Sequence, residues 1–426
     1  AFLLIKFTNR TLVIASMSIF TTGAVMAALA PNFGVLLAGR MIQAAGSAAM
    51  SPLLMNVMLI SFPREKRGTA MGVFGLVMIT APALGPTLSG YIVEYYNWRL
   101  LFEMIIPFAV ASLLLAIWKL QNVMETKPTR LDYLSVTLSS VGFGGLLYGF
   151  SEASTKGWTD AAVLASLIIG FIAAAGFVIR QLRMEKPLLD LGVYKYPMFA
   201  LSSVISAVNA MALFSGMILT PAYVQSVRGI EPFQSGLMML PGALVMGIMS
   251  PITGRLFDKF GPRVLAFTGL GITAMTTYML SRLQIDSSYG YIMSIYSIRM
   301  FGLSMAMMPI MTNGLNQLPT RLNPHGTAVN NTVQQLAGAI GTAIFVTIMN
   351  SRAKTSAAEL MAGVNPASLT QEQMAQYAKM ALLKGIQFTF VIATLTTLVA
   401  LFLSLFMKRV DVSKAAVAKL ETEASA

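Results

Sequence analysis

Long apolar runs alternate along the chain with short polar stretches that carry most of the Lys and Arg residues. A helix that crosses a membrane needs roughly 20 apolar residues. About twelve windows qualify: residues 11–30, 34–58, 69–92, 100–118, 131–150, 160–180, 198–222, 234–254, 263–281, 289–311, 326–349 and 385–407. This pattern predicts an all-α integral membrane protein. The chain starts Ala-Phe-Leu-Leu-Ile-Lys without an initiator Met, and residues 1–5 read as the end of a further span, so a truncated first bundle is expected. The longest interruption, around residues 350–384, is rich in Ala, Glu, Gln and Met and predicts an amphipathic surface helix.

Composition narrows the class. Of 426 residues, 56% are hydrophobic and 11% charged, against about 25% charged in a soluble domain. Mean hydropathy is +0.69. Too little polar surface is available to clothe a water-soluble globule, so the lipid bilayer is the first partner. The net charge of +13 does not point to nucleic acid, because the basic residues sit in clusters between apolar runs without interleaved aromatics. Cys is absent and His325 is the single histidine, which leaves no basis for a thiolate or His-based metal site, and no cofactor is expected. With spans alternating sides, one set of loops holds twenty Lys and Arg and the other eight, Arg40 and Arg299 lying inside spans. The positive-inside rule assigns the richer set, and the C-terminal tail, to the cytoplasm of a multi-pass cell-membrane protein.

The chain also repeats itself. Lys6, Phe7 and Arg10 align on Lys259, Phe260 and Arg263 at an offset of 253. Arg40-Met41 finds a counterpart in Arg299-Met300, 259 residues on, and Gly68-Thr-Ala70 in Gly326-Thr-Ala328, 258 on. Three landmarks in one order at nearly one offset predict parallel halves, a plan by which transporters build an alternating-access site at the midplane. Six spans need roughly 200 residues or fewer, so the offset leaves room for two extra helices, expected at 131–150 and 160–180. The predicted domains are a first bundle (1–118), a linker carrying the extra pair (119–197), a six-helix bundle (198–407) and a tail (408–426).

Three segments carry candidate chemistry. Gly254-Arg-Leu-Phe-Asp258-Lys-Phe-Gly261-Pro-Arg263 predicts a short loop between spans, in which glycines permit a tight turn and Asp258 can pair with a cation or cap a helix; a plain polar hairpin would read similarly. Arg40, in Gly-Arg40-Met-Ile-Gln43-Ala-Ala-Gly46, lies within an apolar helix. A charge there costs about 2.5–3.5 kcal/mol on insertion scales, so it should face a cavity or partner, unless it snorkels from a helix end. Arg299 invites the same test. Gly72, Gly85, Pro86 and Gly90 belong to a helix broken by proline and lined with small residues, which suits kinking and close helix contact.

These segments resemble motifs of the major facilitator superfamily. Gly254 to Arg263 is similar to its cytoplasmic latch loop, Gly-x-Leu-x-Asp-x-x-Gly-x-Arg, whereas the first-half copy has Ile5 and Thr8 where Asp and Gly fall. The segment from Arg40 and Gln43 resembles the fourth-helix motif, in which the Arg is linked to proton transfer, with Ala44 replacing a Gly. Gly72 to Gly90 resembles the fifth-helix motif of antiporters, with Ala81 and Ser89 in place of two glycines. Trp98-Arg99-Leu-Leu-Phe102-Glu103 followed by Pro107, together with the span count, resembles the 14-helix drug:proton antiporters, the EmrB/QacA group, of the lincomycin-resistance type.

The resemblance covers nearly the whole chain. It implies a major facilitator fold with two extra central helices, and proton-driven export of lipophilic or cationic drugs. The partners implied are drugs and protons, with a periplasmic adaptor only in a double-membraned cell. Export of an endogenous peptide, siderophore or amino acid would leave the same traces. An enzyme or channel would need an intramembrane catalytic cluster or selectivity ring, and the spans hold no acid/His cluster. Glu103, Asp132 and Glu152 fall near span ends, where acids reach water or caps, and of these Glu103 is retained with Arg40, Gln43 and Arg299 as a candidate in proton coupling. The resemblance implies a membrane-embedded coupling Asp in the family's first helix, which is expected to lie ahead of residue 1.

Overall fold

The computed structural model describes residues 6–61, 85, 87–122, 132–184, 187–319, 322–362 and 370–409. Gly72 and Pro86 lie outside them. Among the described residues, nine helices are long and apolar enough to cross a membrane. The helices are α1 (Asn9–Ala28), α2 (Phe33–Ser61), α3 (87–95), α4 (Leu100–Glu103), α5 (Ile105–Lys119), α6 (Tyr133–Lys156), α7 (Ala161–Arg183), α8 (Pro197–Ala222), α9 (Pro232–Leu280), α10 (Tyr289–Asn316), α11 (Asn323–Met361) and α12 (Gln371–Ser404). The chain forms two compact units: residues 1–131 with 231–237, and residues 132–230 with 238–426.

In the first unit α1 and α2 pack face to face, and small residues set how closely. A Cβ on Gly46 would strike the backbone of Phe20 and Ser16, and one on Gly23 the backbone of Gln43 and Gly39. Apolar spans gain little from hydrophobicity when they associate in lipid, so close backbone approach supplies the contact instead. Thr8 caps α1 by accepting from Thr11 N–H. Asn9 Nδ2 donates to the Gln121 carbonyl at 2.8 Å, and Arg10 Nη2 to the Ile117 carbonyl at 2.6 Å. These bonds tie the start of α1 to the end of α5, satisfying helix-terminal carbonyls that have no partner within their own helix.

In the second unit α6 and α7 form an antiparallel hairpin. Gly157 (φ 90°) makes its turn, and Asp160 caps α7 through the N–H groups of Ala162 and Val163. At the hairpin's open end Arg180 grips Asp132 through two bonds, Nε to Oδ2 at 2.8 Å and Nη2 to Oδ1 at 2.9 Å, and Ser135 and Gln181 join the network. The Arg180 guanidinium, with Ser135, holds the Asp132 carboxyl well below the usual carboxylate range. Helix α6 also lies along α11, and Trp158 Nε1 donates to Thr347 Oγ1 at 3.0 Å. The main core of this unit gathers Leu219, Tyr223, Met238, Ile292, Tyr296, Met300 and Phe390 from four helices and the turn after α8.

Two local expectations are corrected. The loop expected at 254–263 is shorter: α9 is two helical runs that meet at Gly261, with φ 77° and ψ 171°, and the first of them extends through Gly254 up to that turn. A residue without a Cβ enters that conformation freely, and Pro262 behind it starts the next helical run with φ already set. Among the described residues, the surface helix expected around 350–384 is not a separate element. Instead α11 continues to Met361 and α12 begins at Gln371, opened by a capping box in which Thr370 and Gln373 exchange bonds.

Candidate functional site

In the first unit, Arg40 sits on α2 and is exposed. Its Nη1 donates to Gln43 Oε1 at 2.8 Å, one helical turn on, and its guanidinium lies 5.7 Å from the Phe102 ring centroid. Gln43 is buried against α1, so it works as a fixed acceptor that holds the arginine in place. Phe102 is positioned by Arg99, which donates to the Ala30 carbonyl at 2.8 Å while Trp98 stacks edge-on against Phe102 at 6.1 Å. Glu103 is exposed, and among the described residues no ion pair joins it to Arg40. Arg40 is thus a cation braced by a neutral amide and a ring, and among the described residues no carboxylate pairs with it.

Its repeat mate lies in a different environment. Arg299 on α10 is completely buried in the second unit. It donates from Nη2 to the Ala212 carbonyl of α8 and from Nε to Thr277 Oγ1 of α9 at 3.1 Å. Gly216 provides the space: a Cβ there would run into the guanidinium. Tyr296, one turn earlier on α10, is also buried. Sequence reasoning matched the two arginines but found none of the partners that separate them, because Ala212, Gly216 and Thr277 are unremarkable residues in apolar helices.

The remaining candidates also find places. Among the described residues nothing lies within reach of a Cβ on Gly85, whereas a Cβ on Gly90 would meet the Pro232 carbonyl oxygen at 2.7 Å. Residues 231–237 therefore approach α3 at a glycine, and Thr87 Oγ1 donates to the Gly236 carbonyl at 2.9 Å. Gly254 is helical with nothing near its face, and the side chain of Asp258 lies outside what the structure describes. Arg263 donates from Nε to the Met407 carbonyl at 2.7 Å, and Asn313 Nδ2 to the Lys408 carbonyl at 3.0 Å. Both hold the end of the segment that follows α12. A cavity of about 210 Å³ lies among α6, α8 and α11, lined by Leu147, Ser151, Phe214, Gln335, Gly338 and Thr342 among others.

A family model described as Major Facilitator Superfamily matches residues 1–342. The chain belongs to the major facilitator superfamily. It is a multi-pass membrane transporter, all-helical among the described residues. The MFS-type transporter YhcA of Bacillus subtilis is 51% identical over 83% of this chain and 66% of its own length. The lincomycin resistance protein LmrB of Listeria monocytogenes is 44% identical over 92% of this chain and 82% of its own length. Among solved structures, a peptide transporter POT in complex with sulfate superposes with a TM-score of 0.63 at 14% identity, over 96% of this chain and 83% of that one. At that identity the likeness concerns the fold alone. Within the superfamily the chain thus keeps company with relatives named for antibiotic resistance.

Proposed function

We propose that this transporter exports lipophilic or cationic drugs in exchange for protons, within the group of drug:proton antiporters that carry an extra helical hairpin between their halves. The observation that carries the reading is the 44% identity to a lincomycin resistance protein across 92% of the chain. The hairpin of α6 and α7 and the antiporter-like segment ending at Gly90 support it, as does Arg40. Arg40 is an exposed cation in an apolar helix, held in one pose by Gln43 and Phe102. A fixed positive charge favours the ionised form of any carboxylate that approaches it. Proton release from such an acid would then follow the conformational cycle, and each inward charge contributes about 2.3 kcal/mol per 100 mV of membrane potential. Export, with the cation-rich loops and the tail inside the cell, completes the reading.

The test is transport in proteoliposomes with a pH-sensitive dye. Addition of substrate should release protons from the wild-type chain, and Arg40→Ala should abolish that release while leaving substrate binding within about threefold. Proton-coupled transport that survives in Arg40→Ala removes Arg40 from the mechanism; a wild-type chain that moves substrate without any proton signal removes the exchange itself.

A further inference from the structure

Helix α3 ends in a group of aromatic residues that the family motifs do not include. Tyr91 and Tyr95 are four residues apart and so share one face of the helix, with ring centroids 5.1 Å apart. Tyr96 stands 5.9 Å from Tyr91. The backbone approach at Gly90 brings in Phe233, whose ring lies 5.3 Å from Tyr91 and 6.4 Å from Tyr95, edge-on to both. Four rings from two separate stretches of sequence thus converge. Three of them stay open, with Tyr91 39%, Tyr95 58% and Tyr96 55% exposed.

The charges beside the rings are negative. Glu94, half-buried, accepts the Phe233 N–H at 3.2 Å and hydrogen-bonds to Tyr95, which pushes that phenol up from its ordinary value; Glu231 adds to the effect. Among the described residues, no Lys or Arg side chain lies over these rings. Among the described residues, the Lys and Arg side chains found over aromatic faces sit on Phe7, Phe102, Trp98, Trp118, Phe260, Tyr278 and Phe388. An aromatic belt at a membrane surface would explain the tyrosines. A belt alone gives no reason for the Glu94 carboxylate to bond both Tyr95 and the Phe233 N–H within the same cluster.

We propose that Tyr91, Tyr95, Tyr96 and Phe233, with Glu94 and Glu231, form a binding site for a lipophilic organic cation. Ring faces present negative quadrupoles to a cation, and the carboxylates add a net attraction that an uncharged lipophile does not feel. The site rests on the export reading for its biological use: with the loop charges placed as above, this end of α3 is the outer one, where a cationic substrate leaves. Its existence as a binding site does not depend on transport.

The purified full chain in detergent is titrated with tetraphenylphosphonium, and with uncharged triphenylphosphine oxide as the comparison. The double variant Tyr91→Leu/Tyr95→Leu should weaken phosphonium binding about tenfold, whereas Tyr91→Phe/Tyr95→Phe, which keeps the rings, should stay within about twofold. Glu94→Gln/Glu231→Gln should weaken phosphonium binding and leave the oxide unchanged. In a Tyr95→Trp variant, phosphonium should alter the added Trp emission, which localises the bound cation. Equal phosphonium affinity in the wild type and the Leu pair, equal losses for the two ligands, or no phosphonium binding by the wild type overturns the site. A chain that binds phosphonium through these rings but exports nothing removes the export reading and keeps the site. Export with unchanged binding in the Leu pair does the reverse.

Discussion

Replacing Gly216 by Ala adds one methyl group, and the structure places it inside the Arg299 guanidinium. The arginine must move, and it has nowhere polar to go: it is fully buried and its two anchors are the Ala212 carbonyl and the Thr277 hydroxyl. A hydrogen bond to a charged group contributes about 1.5–3 kcal/mol, so losing both costs about 3–6 kcal/mol, in line with breaking a buried charged contact on one side. Arg299→Met should cost much less. It removes the charge along with the bonds, Thr277 can turn its hydroxyl to its own helix, and the Ala212 carbonyl keeps the hydroxyl of Ser215. In the Arg299→Met background the Gly216→Ala methyl meets a flexible thioether, and the added cost should fall to about 1 kcal/mol or less. The assay is a double-mutant cycle on unfolding in detergent, followed by Trp fluorescence. Near-wild-type stability of Gly216→Ala, or an undiminished penalty in the double variant, would refute the clamp. Proton-coupled transport by Arg299→Met tests its other candidate role, since a clamp tolerates the change and a coupling residue does not.

Other outcomes follow from single contacts. Gly261→Ala forces a Cβ into a backbone region reserved for glycine and should destabilise by about 1–3 kcal/mol in thermal melts, whereas Gly254→Ala, helical and facing open space, should be neutral or slightly stabilising. Because the Asp132 carboxyl is held below its ordinary range, the Arg180 grip contributes fully above the unfolded value of about 3.9 and is lost as pH falls through the lower folded value. Asp132→Asn should therefore lower the melting temperature at pH 7 and narrow its deficit as pH drops below about 4; an equal deficit at both pH values would count against the pair. Trp158→Phe keeps the ring beside Phe150 but loses the donor to Thr347, and should cost about 1 kcal/mol in the same melts.

The spans were legible in the sequence because apolar run length is a local property. The windows at 131–150 and 160–180 became α6 and α7, each extended at its C-terminal end by a few residues. The resemblance to transporter motifs was also local, carried by short segments such as Arg40 to Gly46. Loop geometry was read less well: the motif glycines marked a turn at 254–263, but only Gly261 makes it, since helical hydrogen bonds extend as far as the backbone permits. The stretch at 350–384 looked like a surface helix because its composition is amphipathic, yet among the described residues 350–361 continue α11 and 371–384 open α12.

What the sequence could not decide is which faces meet. Nearly every face of a spanning helix is apolar, so hydrophobic periodicity gives little information on how each helix is rotated toward its neighbours. Arg40 and Arg299 occupy matching places in the repeat, but helix rotation leaves the first exposed beside Phe102 and closes the second behind Gly216 and Thr277. Likewise Tyr91 and Phe233 lie far apart in the chain and become neighbours only because Gly90 lets two backbones touch. The amino-acid sequence determined that this chain crosses a membrane and where its helices run. Packing between helices decided which of its charges and rings are open to a ligand, because that depends on contacts between residues remote in the chain.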